Sequence, residues 1–214
     1  MMQCKDRRTL VSLKYGESVL SERRIFENGS PDKYLKIDFI IYLIDTGKKL
    51  ILVDAGCDVM PGFEMKNWHK PSEVLKQHGY DPNEITDVVI THAHRDHITA
   101  VTYYPHAVIH IQEDEYVTGK KYIPDDFAVN CFSDYYAIDE GVEIIKIGGH
   151  SRGSCIVKFD IDGKEQVIIG DECYHRECLI RHIPTGASFC PEKSRAFIEE
   201  YSKPQYTVWL CHDQ

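Results

Sequence analysis

Val88-Val89-Ile90 is a short β-branched run that empties directly into Thr91-His92-Ala93-His94-Arg95-Asp96-His97. Three histidines and an aspartate within six residues must therefore emerge from the end of a buried strand. In extended chain, residues two apart face the same way, so His92 and His94 can grip one ion. The chain then turns, and Asp96 with His97 can address a second ion nearby. Imidazole nitrogen and carboxylate oxygen suit zinc, and also iron or manganese. A merely solvated polar loop would need four potential ligands in that order by accident. The fold must accordingly present a strand end as a metal-binding rim.

The remaining apolar runs are short and rich in Ile and Val. Strands are expected at Ile37–Ile44, Leu50–Val53, Val88–Ile90, Ala107–Ile111, Val142–Ile147, Cys155–Ile161, Gln166–Ile169 and Tyr206–Leu210. Asp45-Thr46-Gly47-Lys48 and Asp162-Gly163-Lys164 read as hairpin connections. Helix punctuation marks Pro71–His78 and Pro191–Tyr201, and more weakly Glu113–Lys121. Glu17–Tyr34 reads as irregular chain able to cover the site. Hairpins mixed with strand–helix alternation predict two mixed sheets covered by helices, in one domain spanning 1–214.

Composition narrows the function classes. With 34 Asp+Glu against 25 Lys+Arg, the formal charge is −9 and no basic run occurs, which disfavours nucleic acid unless bound cations supply the positive field. No window approaches a membrane-spanning apolar length. Met1-Met2-Gln3-Cys4-Lys5-Asp6-Arg7-Arg8 lacks a signal-peptide core, so a cytoplasmic location is expected. The eight cysteines form no Cys-x-x-Cys pair and are expected as reduced thiols, several buried.

His92-x-His94-x-Asp96-His97 resembles the signature of the metallo-β-lactamase superfamily, and further segments extend the resemblance in order. Leu52-Val53-Asp54-Ala55-Gly56 matches the strand-end aspartate and glycine beneath the family's metal site. Gly148-Gly149-His150-Ser151-Arg152-Gly153-Ser154 matches its second motif. Ile168-Ile169-Gly170-Asp171 matches the strand that ends in a bridging aspartate, and Val208-Trp209-Leu210-Cys211-His212-Asp213 the terminal ligand strand. The resemblance implies an α/β fold, a four-layer αββα sandwich of two mixed sheets flanked by helices. It implies that His92, His94 and His150 hold one metal and Asp96, His97 and His212 a second, with Asp171 bridging them. Asp54 would orient a ligand histidine through its ring N–H; otherwise it is a plain turn aspartate. Cys211 is expected as a small residue closing a buried strand rather than a thiolate ligand, and Glu172 and Cys173 as packing or support.

Such a site implies a dinuclear hydrolase, most simply with zinc, in which hydroxide shared by two cations attacks a small ester-like substrate. Two divalent ions add +4, bringing −9 to −5. Tyr174, three residues after Asp171, stands where the acyl-homoserine lactonase branch places an assisting tyrosine, although an ordinary rim or core tyrosine reads equally well. Asp96 would shuttle a proton to the leaving group. The first expectation is a lactonase-like enzyme; a glyoxalase II-like thioesterase, a phosphodiesterase and a non-catalytic metal sensor are the alternatives. Penicillin-cleaving relatives replace the bridging aspartate by cysteine or serine; a redox relative using one or two irons is a further alternative, although the flavin-binding domain of its electron-carrying version is not expected here.

The chain departs from the family pattern at Ile98-Thr99-Ala100, where many relatives carry a glycine pair, and at Ser151–Ser154, where lactonases commonly show Thr-Pro-Gly-His. It stops two residues after His212, so no longer substrate-binding extension is expected. Arg152 reads first as a surface arginine. The loop Cys57–Trp68 reads as a pocket wall or lid, or as a satellite hydrophobic cluster. Tyr103-Tyr104-Pro105 either lines the entrance or packs beneath it.

Overall fold

A computed structural model describes residues 8–214, so Cys4 and the Met1–Arg7 lead lie outside the described residues. One sheet runs in spatial order through β1 (Thr9–Ser21), β2 (Tyr34–Asp45), β3 (Leu50–Val53), β4 (Asp87–Ile90), β5 (Val108–Gln112) and β6 (Val129–Phe132). Its first three strands are antiparallel and β3 to β6 are parallel. The second sheet holds β7 (Tyr135–Asp139), β8 (Val142–Lys146), β9 (Cys155–Ile161), β10 (Lys164–Ile168) and β11 (Tyr206–Trp209), with only β10 and β11 parallel. Among the described residues the α-helices are α1 (Glu22–Ile25), α2 (Pro71–Gln77), α3 (Arg95–Ile98), α4 (Glu113–Gly119), α5 (Arg176–Arg181) and α6 (Pro191–Tyr201), with four short 3-10 turns between elements.

The αββα layering follows from how alternate strand residues divide. Ile51, Val53 and Val89 face the second sheet and meet Cys155, Val157 and Ile168 in one apolar layer. Their neighbours Leu52, Val88 and Ile90 turn outward to a second layer with Val74 and Leu75 of α2. Both faces of β3 and β4 are buried, which is why these strands read as continuous apolar runs.

Parallel β3 and β4 release Asp54 and His92 at their carboxyl ends, and parallel β10 and β11 release Asp171 and His212 at theirs. Backbone bonds join the sheets at that rim: the Cys155 N–H donates to Thr91 O at 2.9 Å, the Ile40 N–H to Cys211 O at 3.0 Å and the Asp38 N–H to His212 O at 2.9 Å.

The expected strands all form. The segment 17–34 is a correction: Glu17–Ser21 continues the 13-residue β1, paired along β2, and Glu22–Ile25 is helical. Lys14, Glu17 and Ser18 conceal this strand in a polar pattern, yet Ser18 is buried. The seven described cysteines are free thiols, five of them buried. No helix among the described residues is long and apolar enough to cross a membrane.

Candidate metal centre

Two groups of ligand atoms converge at the rim. In the first, His94 Nδ1 lies 3.0 Å from His92 Nε2 and 3.1 Å from His150 Nε2. Asp171 Oδ2 stands 3.5 Å from His92 Nε2 and 3.6 Å from His150 Nε2. In the second, Asp171 Oδ1 lies 3.1 Å from His97 Nε2 and 3.0 Å from His212 Nε2, while Asp96 Oδ2 is 3.7 and 3.6 Å from the same nitrogens. Asp171 thus divides its two oxygens between the groups. Tetrahedral ligands bound at about 2.0–2.1 Å stand roughly 3.3–3.4 Å apart, within the range of these separations.

Acceptors behind the rings aim them. His97 Nδ1 donates to Asp54 Oδ2, His150 Nδ1 to Ala187 O and His212 Nδ1 to Asp38 O, each at 2.7 Å. With the proton fixed on Nδ1, each Nε2 presents its lone pair inward. His97 Nε2, His212 Nε2 and Asp171 Oδ1 are buried without a hydrogen-bond partner. Buried lone pairs facing one another are costly unless a cation lies between them, and this donor set fits divalent metal.

The charge balance differs between the groups. Burial pushes His94 down to about 4 and His150 down to about 3, leaving neutral rings suited to coordination. Burial would also depress His97, but Asp54, Asp171 and Asp96 overcome it and hold the ring well above the ordinary imidazole value. Burial would raise Asp171, yet His212, His97 and His92 keep it well below the carboxylate range.

The sequence pattern of the metallo-beta-lactamase superfamily matches residues 41–163, more than half of the chain. The chain belongs to this superfamily. It is a metal-dependent hydrolase. An N-acyl homoserine lactonase, AiiA of Bacillus thuringiensis subsp. kurstaki, is 23% identical over 92% of this chain and 90% of its own length. A solved N-acyl homoserine lactone hydrolase with N-hexanoyl-L-homoserine at its catalytic metal centre superposes with a TM-score of 0.83 at 22% identity, covering 97% of this chain and 94% of that one. AidC, a dizinc quorum-quenching lactonase, superposes at 0.76 with 16% identity, covering 96% and 87%.

Within this superfamily framework, two buried carboxylates brace the loop that carries His150. Glu172 accepts from the Gly149 N–H at 3.2 Å, the His150 N–H at 3.2 Å and the Ser154 hydroxyl. Glu115 accepts from the Ser151 hydroxyl at 2.7 Å, the Gly153 N–H at 2.8 Å and the Ala93 N–H at 2.8 Å, tying the loop to the His92–His94 segment. A Cβ on Gly153 would fall 2.0 Å from Gln112 Oε1, so only glycine fits there. The Ser-Arg-Gly-Ser departure is thereby explained: both serines bond the bracing carboxylates. Removing Glu115 strands the buried Gly153 N–H and the half-buried Ala93 N–H and Ser151 hydroxyl. Glu115→Ala is expected to cost about 3 kcal/mol, read as a melting temperature about 6–12 °C lower; an unchanged melt would show that the brace contributes nothing.

A cavity of about 290 Å³ opens over the centre. Leu20, Ile37, Phe39, Met60 and Phe63 form its apolar wall, and Tyr174 lies against the ligand rings. The Tyr174 ring stacks on His212 at 5.0 Å and meets His150 edge-on at 5.8 Å. The Cys57–Trp68 loop serves both expected roles. Met60 and Phe63 line the pocket, whereas Trp68 packs at 4.9 Å on Tyr15 over Gly16, where a Cβ would meet the indole at 2.4 Å. Tyr104 is buried, with its hydroxyl on Ala55 O, and packs beneath rather than lining the entrance. Cys211 Sγ lies 3.8 Å from Asp54 Oδ2, and burial pushes its thiol well up, so it stays protonated. Arg152 stacks on Phe189 at 5.4 Å.

Sequence reasoning missed Glu115, the carbonyls of Asp38 and Ala187, and the wall formed by Leu20 and Ile37. Backbone carbonyls carry no residue signature, and Glu115 looks like any acidic residue in the first turn of α4.

Proposed function

We propose that the chain is one catalytic domain that opens lactones, with an N-acyl homoserine lactone or close ester relative as substrate. The observation that carries the reading is Tyr174, held in the pocket over the two ligand groups. Its phenol keeps its proton at neutral pH, because burial first, and Asp171 and Asp96 after it, push it well above the ordinary tyrosine value. The lactonase relatives and the homoserine product in a structural neighbour support the same substrate class.

In this proposal His92, His94 and His150 hold one metal, Asp96, His97 and His212 the other, and Asp171 both. Bound there, divalent cations, zinc being the simplest fit, lower the pKa of water and polarise a carbonyl. Tyr174 donates its O–H to the lactone carbonyl oxygen as negative charge develops on it. Water adds to the acyl carbon, the ring C–O bond breaks, and Asp96 passes the displaced proton to the departing alkoxide. The apolar wall receives the acyl chain and excludes water from it.

A panel of homoserine lactones of different acyl length, assayed for ring-opened product with the zinc-loaded protein, tests the substrate. Opening of at least one length is expected. Silence on every length, alongside turnover of thioesters or phosphodiesters, would sink the lactonase reading and leave the hydrolase class intact. Tyr174→Phe is expected to lower kcat on the opened lactone on the order of 10²-fold with little change in KM, as loss of one oxyanion donor does. Wild-type kcat in this variant would reduce Tyr174 to a packing residue.

A further inference from the structure

Two guanidinium groups at the mouth of the cavity have no task in the chemistry above. Arg24, in α1, and Arg95, set between the ligands His94 and Asp96, both line the hollow beside the apolar wall, and both are exposed. Among the described residues most other arginines have partners, Arg23 outside this cavity excepted; Arg176 bonds the Val208 carbonyl and Arg181 lies over Phe26. Arg195 pairs with Glu27 at 2.8 Å, Arg8 bonds the carbonyls of Asp160 and Glu140, and Arg152 lies on Phe189 with its charge reaching Asp114. Among the described residues Arg24 and Arg95 have no carboxylate within ion-pair distance. Arg95 only approaches the Tyr122 ring, 6.0 Å from its centroid, and Arg24 reaches Tyr174 through its charge alone. In a chain with net charge −9, two unpaired cations on one small catalytic pocket stand out against the global field.

The charges inside the pocket point the same way. Asp96 and Asp171 line the cavity and Asp54 lies behind His97, together −3, which two divalent cations would more than offset, so the arginines would add to a locally positive site. A guanidinium presents a planar fork of donors that matches carboxylate or phosphate oxygens in pairs. An apolar wall on one side and two such forks at the mouth describe an amphiphilic anion.

We propose that the pocket also takes esters that carry one anionic group, a carboxylate or a phosphate, away from the scissile bond, and that Arg24 and Arg95 hold that group. This rests on the hydrolase reading of the same site, but it does not require a lactone.

Three aryl esters test it with the zinc-loaded protein: 4-nitrophenyl hexanoate, the mono-4-nitrophenyl ester of adipate, and the matching ω-phosphonate. The wild type is expected to favour an anionic ester in kcat/KM. That anionic-to-neutral ratio should fall about tenfold in Arg24→Ala and about tenfold in Arg95→Ala, and stay level in Arg152→Ala. Preference for the adipate ester assigns a carboxylate, and preference for the phosphonate a phosphate. Calorimetric titration with adipic acid monoamide and neutral hexanamide supplies a readout independent of turnover. The anionic monoamide should bind more tightly, and the double variant should abolish the difference. Both arginines are exposed, so melting curves should match and separate this effect from misfolding. Equal treatment of neutral and anionic compounds by the wild type, or a preference that survives in the double variant, overturns the proposal. Failure of the lactone reading is seen separately, as homoserine lactones left intact while the aryl esters are still discriminated by charge.

Discussion

If the two-metal proposal holds, Asp171→Asn is expected to leave one bound ion per chain or none in place of two, and to lower kcat/KM on any accepted ester by on the order of 10³-fold or more. The side chain is buried, and its Oδ2 and Oδ1 serve different ligand groups, at 3.5–3.6 Å and 3.0–3.1 Å from their nitrogens. Asparagine keeps the volume but removes the charge and turns one of those oxygens into an NH₂ donor. Whichever way the amide rotates, one group then faces a donor where it needs an acceptor. Neither His92 and His150 nor His97 and His212 can supply the lost negative charge. Elemental analysis after dialysis against zinc measures the stoichiometry, and circular dichroism in chelator checks that the fold persists. Two ions per chain together with wild-type turnover would show that the shared carboxylate is dispensable.

The contrast between what could and could not be read in advance has a physical basis. Strands β3, β4, β9 and β10 are legible because both or alternate faces are buried and only β-branched and aliphatic side chains satisfy that. The ligand residues are legible because the chemistry admits few residue types and they follow strand ends in a fixed order. The second half of β1 was hidden: Lys14, Glu17 and Asp38 form an ion-pair cluster along its edge, with Lys14 Nζ 2.8 Å from Asp38 Oδ1, so its pattern looks polar although it pairs with β2 on both sides of a bulge between Lys14 and Gly16. The residues that aim the rings were legible only where a side chain does the work. Asp54 could be singled out before Gly56, whereas the carbonyls of Ala187 and Asp38 do the same for His150 and His212 and leave no trace in residue identity. Glu115 and Glu172 lie between these cases. Their identities are visible, but that six donors converge on them depends on the loops meeting in space. The arginines lining the pocket are of the same kind, since Arg24 comes from a segment that read only as irregular chain able to cover the site.

Asp54→Asn separates aiming a ligand from being one. Asp54 is fully buried with φ +65°, a left-handed conformation that asparagine also tolerates, so the backbone is not strained by the change. In the native chain Asp54 Oδ1 accepts from the Thr91 N–H at 2.8 Å, and Oδ2 accepts from His97 Nδ1 at 2.7 Å. Asparagine keeps one carbonyl oxygen for the Thr91 N–H and places its NH₂ against His97 Nδ1. Two donors cannot face each other there, so the ring proton moves to Nε2, the atom that points at Asp171 and Asp96. A protonated Nε2 has no lone pair for a cation. The expected result is a protein that folds, retains the His92–His94–His150 group, and binds its second metal about 10–100-fold more weakly. Zinc titration with a competing chelator reads the two affinities, and activity should recover at high zinc. Asp54→Ala, by contrast, removes the acceptor for Thr91 and His97 together and is expected to cost about 3–5 kcal/mol of stability, because it leaves buried polar groups uncompensated. If Asp54→Asn loses both metals equally, or neither, the proton on His97 is not what Asp54 controls, and its bonds to Thr91 must carry its whole effect.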